Sequence, residues 1–261
     1  MSSTSKKPYD AFARGQTGSS PLTTFIFCAE RALDPIIQYQ ILANGLGSSI
    51  LSKLGLELIP DGPPTQIGVP LVDNLGLSPY RLLLLAMAAG GALKQIIWAV
   101  HLNREPLYIS SAIYGPIFNT VVNGTNDLLA TTAFFSGGVA GRLPAVFLGV
   151  ALYIFGIITE TVSEFQRKAF KDNSKNDGKV YTGGLWSITR HINYTGYTSW
   201  RVGYSLAAGN WYFGVPALSF WSYGFVTNAI PILDAYCSKK YGAQWEDFKQ
   251  KTPYRFIPGI W

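Results

Sequence analysis

The stretch GGLWSITRHINYTG, Gly183 to Gly196, decides how this chain is read. It gathers three glycines, an indole (Trp186), a guanidinium (Arg190), one of only two histidines (His191), an amide (Asn193) and a phenol (Tyr194). A basic, polar segment precedes it and an apolar run follows it. A membrane-embedded chain would meet a soluble anionic cofactor at such a junction.

The composition agrees. Of 261 residues, 48% are hydrophobic and only 14% are charged, against roughly a quarter charged in a soluble domain. The missing charge points to solvation by lipid. Aromatics reach 14%, and Trp and Tyr favour the membrane–water boundary. The length implies one domain: a flexible leader at 1–22, then a single integral-membrane helical domain at 23–261. The net charge is +6, but the basic residues fall in short gaps between apolar runs. A nucleic-acid partner, which needs them on one soluble face, is not expected. Cys28 and Cys237 stand alone and read as buried thiols. With only His101 and His191 available, no metal site is expected. The leader lacks a signal peptide's apolar core.

Outward from the motif, the apolar runs predict an all-α, polytopic membrane protein of five to six transmembrane helices. Thr24–Ser52 is interrupted by Glu30, Arg31, Asp34 and Pro35. It is either an interfacial amphipathic helix or a span whose charges face the protein interior. Charges inside a span are usually functional, which makes Glu30 and Asp34 candidates. Lys53–Pro79 is a proline-rich loop. Tyr80–Val100 is a span in which Gly90 and Gly91 permit close helix approach and Lys94 snorkels outward. Leu107–Phe135 is apolar but carries NTVVNGTND at 119–127. The simpler reading is a helix break at Gly124; the alternative is a polar cavity lining that includes Asp127. Ser136–Arg142 is a turn. Leu143–Glu164 is a span ending in Glu160 and Glu164, which share one helical face.

The segment 165–190 holds six Lys or Arg against two Asp. Asn193–Ala208 and Trp211–Leu233 form a helical hairpin turning at Gly209-Asn210. Its first arm is shorter than the ~20 residues of a full span. In the tail, Asp234–Trp261, Pro253 and Pro258 preclude a terminal helix, and the tail folds back over the basic segment. With six spans, both termini share one side. That side carries 15 of the 21 Lys and Arg, which marks it as cytosolic.

Over its last hundred or so residues the chain resembles the steroid 5α-reductase-like superfamily of steroid, sterol and enoyl reductases. The ordered matches are Glu160, Glu164, Gln166 with Lys168, Gly184-Leu185-Trp186, Arg190-His191, Asn193-Tyr194, Gly196, Lys240-Tyr241-Gly242, Trp245, and Thr252-Pro253-Tyr254-Arg255 with Ile257-Pro258. The resemblance implies a C-terminal pocket for NADPH that faces the cytosol, an endoplasmic reticulum membrane, and hydride transfer to a carbon–carbon double bond. The substrate would be lipophilic: steroid-like, isoprenoid, polyketide or fatty-acyl. It assigns cofactor binding to Gln166, Lys168, Trp186, Arg190, His191, Asn193, Tyr194, Tyr241, Tyr254 and Arg255. Cations of these types pair with nucleotide phosphates, and no glycine-rich Rossmann motif is present.

The family's RHPNYFGE reads RHINYTGY here, so Ile192, Thr195 and Tyr197 replace a proline, an aromatic and a glutamate. Tyr197 thereby becomes the candidate catalytic acid. Two alternatives stand beside the reductase. One is the related methyltransferase branch, which uses S-adenosylmethionine, shares an RHP-x-Y-x-G motif and typically has paired glutamates where this chain has only Asp234. The other is a cofactor-free relative acting in lipid binding, isomerisation or cyclisation.

Overall fold

In a computed structural model, residues 13–16, 18–136 and 138–261 are described, with side chains at 136–142 left aside. The expected leader therefore falls mostly outside the described residues. Among the described residues, ten α-helices carry the fold: α1 (Pro21–Asn44), α2 (Ser48–Lys53), α3 (Pro70–Asp73), α4 (Pro79–Ile97), α5 (Ile109–Ala130), α6 (Ala133–Ser136), α7 (Gly138–Asp172), α8 (Ile192–Gly224), α9 (Ile230–Tyr241) and α10 (Ala243–Lys251). Among the described residues there is no sheet, only an isolated bridge between Leu58 and Thr132.

Among the described residues, two helices, Pro79–Leu102 and Leu143–Asp172, are long and apolar enough to cross a membrane. Large apolar side chains stand exposed along the bundle, among them Phe25, Ile36, Tyr114, Phe147, Phe155, Trp211 and Phe220. An apolar surface of this extent suits lipid rather than water.

The central pair is α7 against the first arm of α8. Glycines set its spacing. A Cβ on Gly149 would lie 2.6 Å from the Gly203 carbonyl oxygen, and one on Gly196 would lie 2.6 Å from the Glu160 nitrogen. Small residues bring the two backbones together where no side chain fits between. Residues 192–208 and 211–224 fold back on each other at Gly209 and Asn210. Asn210 takes the left-handed φ of 56°, and Tyr197 meets Trp221 across the hairpin at 5.2 Å between ring centres. This is the hairpin expected from the sequence.

Helix α1 packs on α4 and α5. It is one continuous helix through Pro35, and its buried face carries Arg31, Asp34 and Gln38, each fully buried. The charges thus face the protein interior. Helix α5 also runs unbroken through Gly124, with Asn119, Asn123, Asn126 and Asp127 buried. The break expected there does not occur: Asn119, Asn123 and Asp127 find partners on α1 and α8, although the buried Asn126 oxygen has none. Lys94 does not snorkel: its ammonium pairs with Glu160, whose other oxygen accepts from the Trp200 indole at 2.7 Å. Helix α7 begins at Gly138, inside the expected turn at 136–142, and runs eight residues past Glu164. In the tail, α10 reaches the basic segment through Gln244, which bonds Val180 and Gly178.

Candidate functional site

The motif is built against the end of α7. Gly184 adopts a left-handed φ of 55°, and the Gln166 amide occupies the space where a Cβ would stand. The Gln166 oxygen accepts from the Leu185 nitrogen at 2.9 Å. Trp186 is buried, donates to the Ser163 carbonyl at 2.8 Å and lies 5.5 Å beneath the Arg167 guanidinium. These contacts fix the entry into α8.

Arg190 then clamps the tail. Its Nη1 donates to the carbonyls of Thr252 at 2.5 Å and Pro253 at 3.1 Å, and its backbone nitrogen donates to Tyr254 at 3.0 Å. Thr189 adds a hydroxyl bond to the Tyr254 carbonyl at 2.9 Å. Thr195, which replaces the family aromatic, donates to the Phe256 carbonyl. Arg190 bonds only neutral carbonyls here, and the carboxylate of Asp234 in the same cavity favours its charged form. Burial first, and Arg255 second, lower its pKa.

The clamp encloses one wall of a cavity of about 250 Å³. Arg190, His191 and Arg255 line it together with Asp234, Ile230 and Trp261. The Arg255 guanidinium lies 5.4 Å from the Trp261 ring centre. His191 is buried, its Nδ1 has no partner, and burial pushes its pKa down to about 3. The imidazole is therefore neutral at ordinary pH and offers hydrogen bonding rather than charge.

An aromatic ladder leads inward from this cavity. His191 stacks on Tyr194 at 5.3 Å, Tyr194 stacks on Phe225 at 4.4 Å, and Phe225 meets Tyr197 edge-on at 5.6 Å. The Tyr197 hydroxyl accepts from Arg201 Nε at 3.2 Å and faces the Asn119 oxygen at 3.4 Å. A polar chain continues from there: Arg201 Nη1 donates to Asn123 at 3.0 Å, Asn123 donates to Asp34 at 2.7 Å, and Asp34 pairs with Arg31 at 2.9 Å.

Of the residues predicted from sequence, Arg190, His191 and Arg255 meet at the cavity, and Tyr194 and Tyr197 continue from it. Asn193 donates instead to Glu164 at 2.8 Å, and Glu164 pairs with Arg167 at 2.6 Å. Lys168 pairs with Asp172 on its own helix. Tyr241 accepts from Lys171 at 3.0 Å. Tyr254 is partly exposed and serves the clamp through its backbone. Gln166 and Trp186 support the turn. Sequence reading passed over Arg201, Phe225 and Trp261. A signal for Arg201 was available, since it is a charge inside an apolar run.

Residues 130–252 match a family described as "Protein of unknown function (DUF1295)". A probable O-methyltransferase, ustE, of Ustilaginoidea virens is 40% identical over 90% of this chain and 84% of its own length. The Delta(14)-sterol reductase of Saccharomyces cerevisiae is 30% identical over 47% of this chain and 28% of its own length. The 7-dehydrocholesterol reductase of Xenopus laevis is 31% identical over 34% of this chain and 19% of its own. Similarity to sterol reductases is thus confined to part of each protein, whereas the ustE match spans nearly the whole chain. The ordered motif, the helical architecture and these relatives together establish that the chain belongs to the steroid 5α-reductase-like superfamily.

Proposed function

We propose that this chain is a membrane reductase that uses NADPH to reduce a carbon–carbon double bond in a lipophilic substrate. The observation that carries this reading is the pairing of Arg190 and Arg255 around one cavity. Two guanidiniums against the single carboxylate of Asp234 leave a positive surplus, which suits phosphate. The cavity lies just below the ~300 Å³ at which small-molecule sites usually begin, so it accommodates part of a dinucleotide. Arg190 and Arg255 would hold phosphate, Trp261 would stack on a flat ring, and the free nitrogen of His191 would accept or donate one further bond. Gln166, Trp186 and Asn193 would keep the turn in register; Lys168, Tyr241 and Tyr254 lie outside the cavity lining.

NADPH, when bound, supplies a hydride. Tyr197 would deliver the matching proton to the substrate, and the Arg201 Nε bond would stabilise the phenolate left behind. The Lys and Arg bias supports six spans with both termini in the cytosol. The family resemblance supports the endoplasmic reticulum.

A second reading, a methyltransferase using S-adenosylmethionine, draws on the similarity to the protein named probable O-methyltransferase ustE. Asp234 gives it a chemical basis, since a carboxylate in the cavity could face that cofactor's ammonium group. Competitive titration of detergent-solubilised protein with NADPH, NADH and S-adenosylmethionine separates the two. The reductase reading expects NADPH to bind most tightly and Arg255→Ala to weaken it. Preference for S-adenosylmethionine would overturn it.

A further inference from the structure

Arg201 sits where a positive charge is hardest to keep. It is 1% exposed, on the arm of α8 that packs inside the bundle. Its guanidinium is held between aromatic rings, 4.2 Å from the centre of Trp200 and 5.3 Å from that of Trp221. Two of its three nitrogens are used: Nε on Tyr197 and Nη1 on Asn123. The third, Nη2, is fully buried and has no partner.

No carboxylate meets it directly. Asp34 is the carboxylate of this polar chain, and it is already in ion-pair contact with Arg31. Among the described residues Arg201 forms no ion pair, and Asp127, one turn along α5 from Asn123, is bonded to Tyr204 instead. Arg31 and Arg201 thus share the interior with two carboxylates, but Arg201 touches neither and reaches Asp34 only through Asn123. A charge in a low-dielectric interior is costly unless an anion meets it directly. An unpaired N–H on the same group adds a second cost.

We propose that Arg201 is the recognition point for a carboxylate carried by the lipophilic substrate. Nη2 donates to the carboxylate oxygen, Trp200 and Trp221 pack on the adjoining apolar portion, and Asn123 fixes the guanidinium from behind. The inference deepens the reductase reading by naming a substrate class. It rests on that reading for treating Tyr197, bonded to Arg201, as the reacting neighbour.

The test needs no nucleotide, so failure of the NADPH reading would appear separately, in the cofactor titration. Full-length protein in lipid nanodiscs is titrated with oleate, oleyl alcohol and methyl oleate, followed by tryptophan fluorescence. Saturable quenching by oleate is expected, with methyl oleate and oleyl alcohol weaker by about tenfold or more. Arg201→Gln should abolish the preference and Arg201→Lys should keep part of it. Equal affinity for acid and ester in the native protein would overturn the proposal, even where Arg201→Gln fails to fold. So would quenching by oleate that survives Arg201→Gln in folded protein.

Discussion

Gly156 of α7 and Gly196 of α8 face each other so closely that a Cβ on Gly156 would lie 2.5 Å from the Gly196 carbonyl oxygen. With Gly149 and Gly203 doing the same seven residues away on each helix, the crossing is set by what these positions lack. The motif beginning at Gly183 sits at one end of this crossing, so its position depends on it.

Gly156→Ala must therefore push the helices apart or distort them. The expected cost is about 1–3 kcal/mol, typical of overpacking, read as a lowered thermal midpoint in detergent. Gly115→Ala on α5 is the control, since nothing lies within 4 Å of a Cβ there and helix propensity alone would favour alanine. Equal midpoints for the two variants would show that the α7–α8 crossing tolerates a side chain.

The buried trio of Lys94, Glu160 and Trp200 makes a different prediction. Glu160→Gln leaves the Lys94 ammonium without its anion inside the bundle, at a cost of about 3–5 kcal/mol. The double variant Lys94→Met, Glu160→Gln should recover much of that loss, because it removes the stranded charge. A double-mutant cycle on thermal stability measures the coupling. Additive losses would mean that the pair contributes no mutual stabilisation.

Much of this architecture was legible in the sequence. Hydropathy located the long apolar helices, Gly209-Asn210 located the hairpin, and Gly90 and Gly91 marked a close approach. The Tyr153 hydroxyl now fills that approach, donating to the Met87 carbonyl at 2.6 Å. What sequence could not supply was pairing at a distance. Lys94 and Glu160 are 66 positions apart, and Asn123 and Asp34 are 89 apart. No local pattern distinguishes a snorkelling lysine from a paired one, or a helix break from amides bonded across to other helices. The role of Arg190 was hidden for a related reason. Its partners are backbone carbonyls, which every residue possesses and no motif records.

His191 gives a prediction in pH. Its folded pKa is about 3, against 6.5 for an ordinary imidazole, chiefly through burial. The unfolded chain takes up a proton as pH falls below about 6.5, while the folded protein resists until about 3. Stability from this group is thus fully present above pH 6.5 and drains away across that window. His191→Phe should remove the slope. The midpoint difference between wild type and variant should shrink, or reverse, between about pH 7.5 and pH 5. An unchanged difference would mean that the imidazole titrates normally in the fold.

The tail clamp can be separated from phosphate binding. Arg190 Nη1 alone reaches the Thr252 and Pro253 carbonyls. Arg190→Met keeps most of the apolar stem but removes that donor. Hydrogen exchange in residues 252–261 should therefore accelerate, consistent with loss of charge-assisted bonds worth about 1.5–3 kcal/mol each. Arg255→Met removes a cavity charge that makes no such carbonyl bonds and should leave tail exchange unchanged. If both variants loosen the tail equally, general cavity charge, rather than the Arg190 clamp, holds it in place. If neither does, the anchors are Thr189 and Thr195, whose hydroxyls reach the Tyr254 and Phe256 carbonyls.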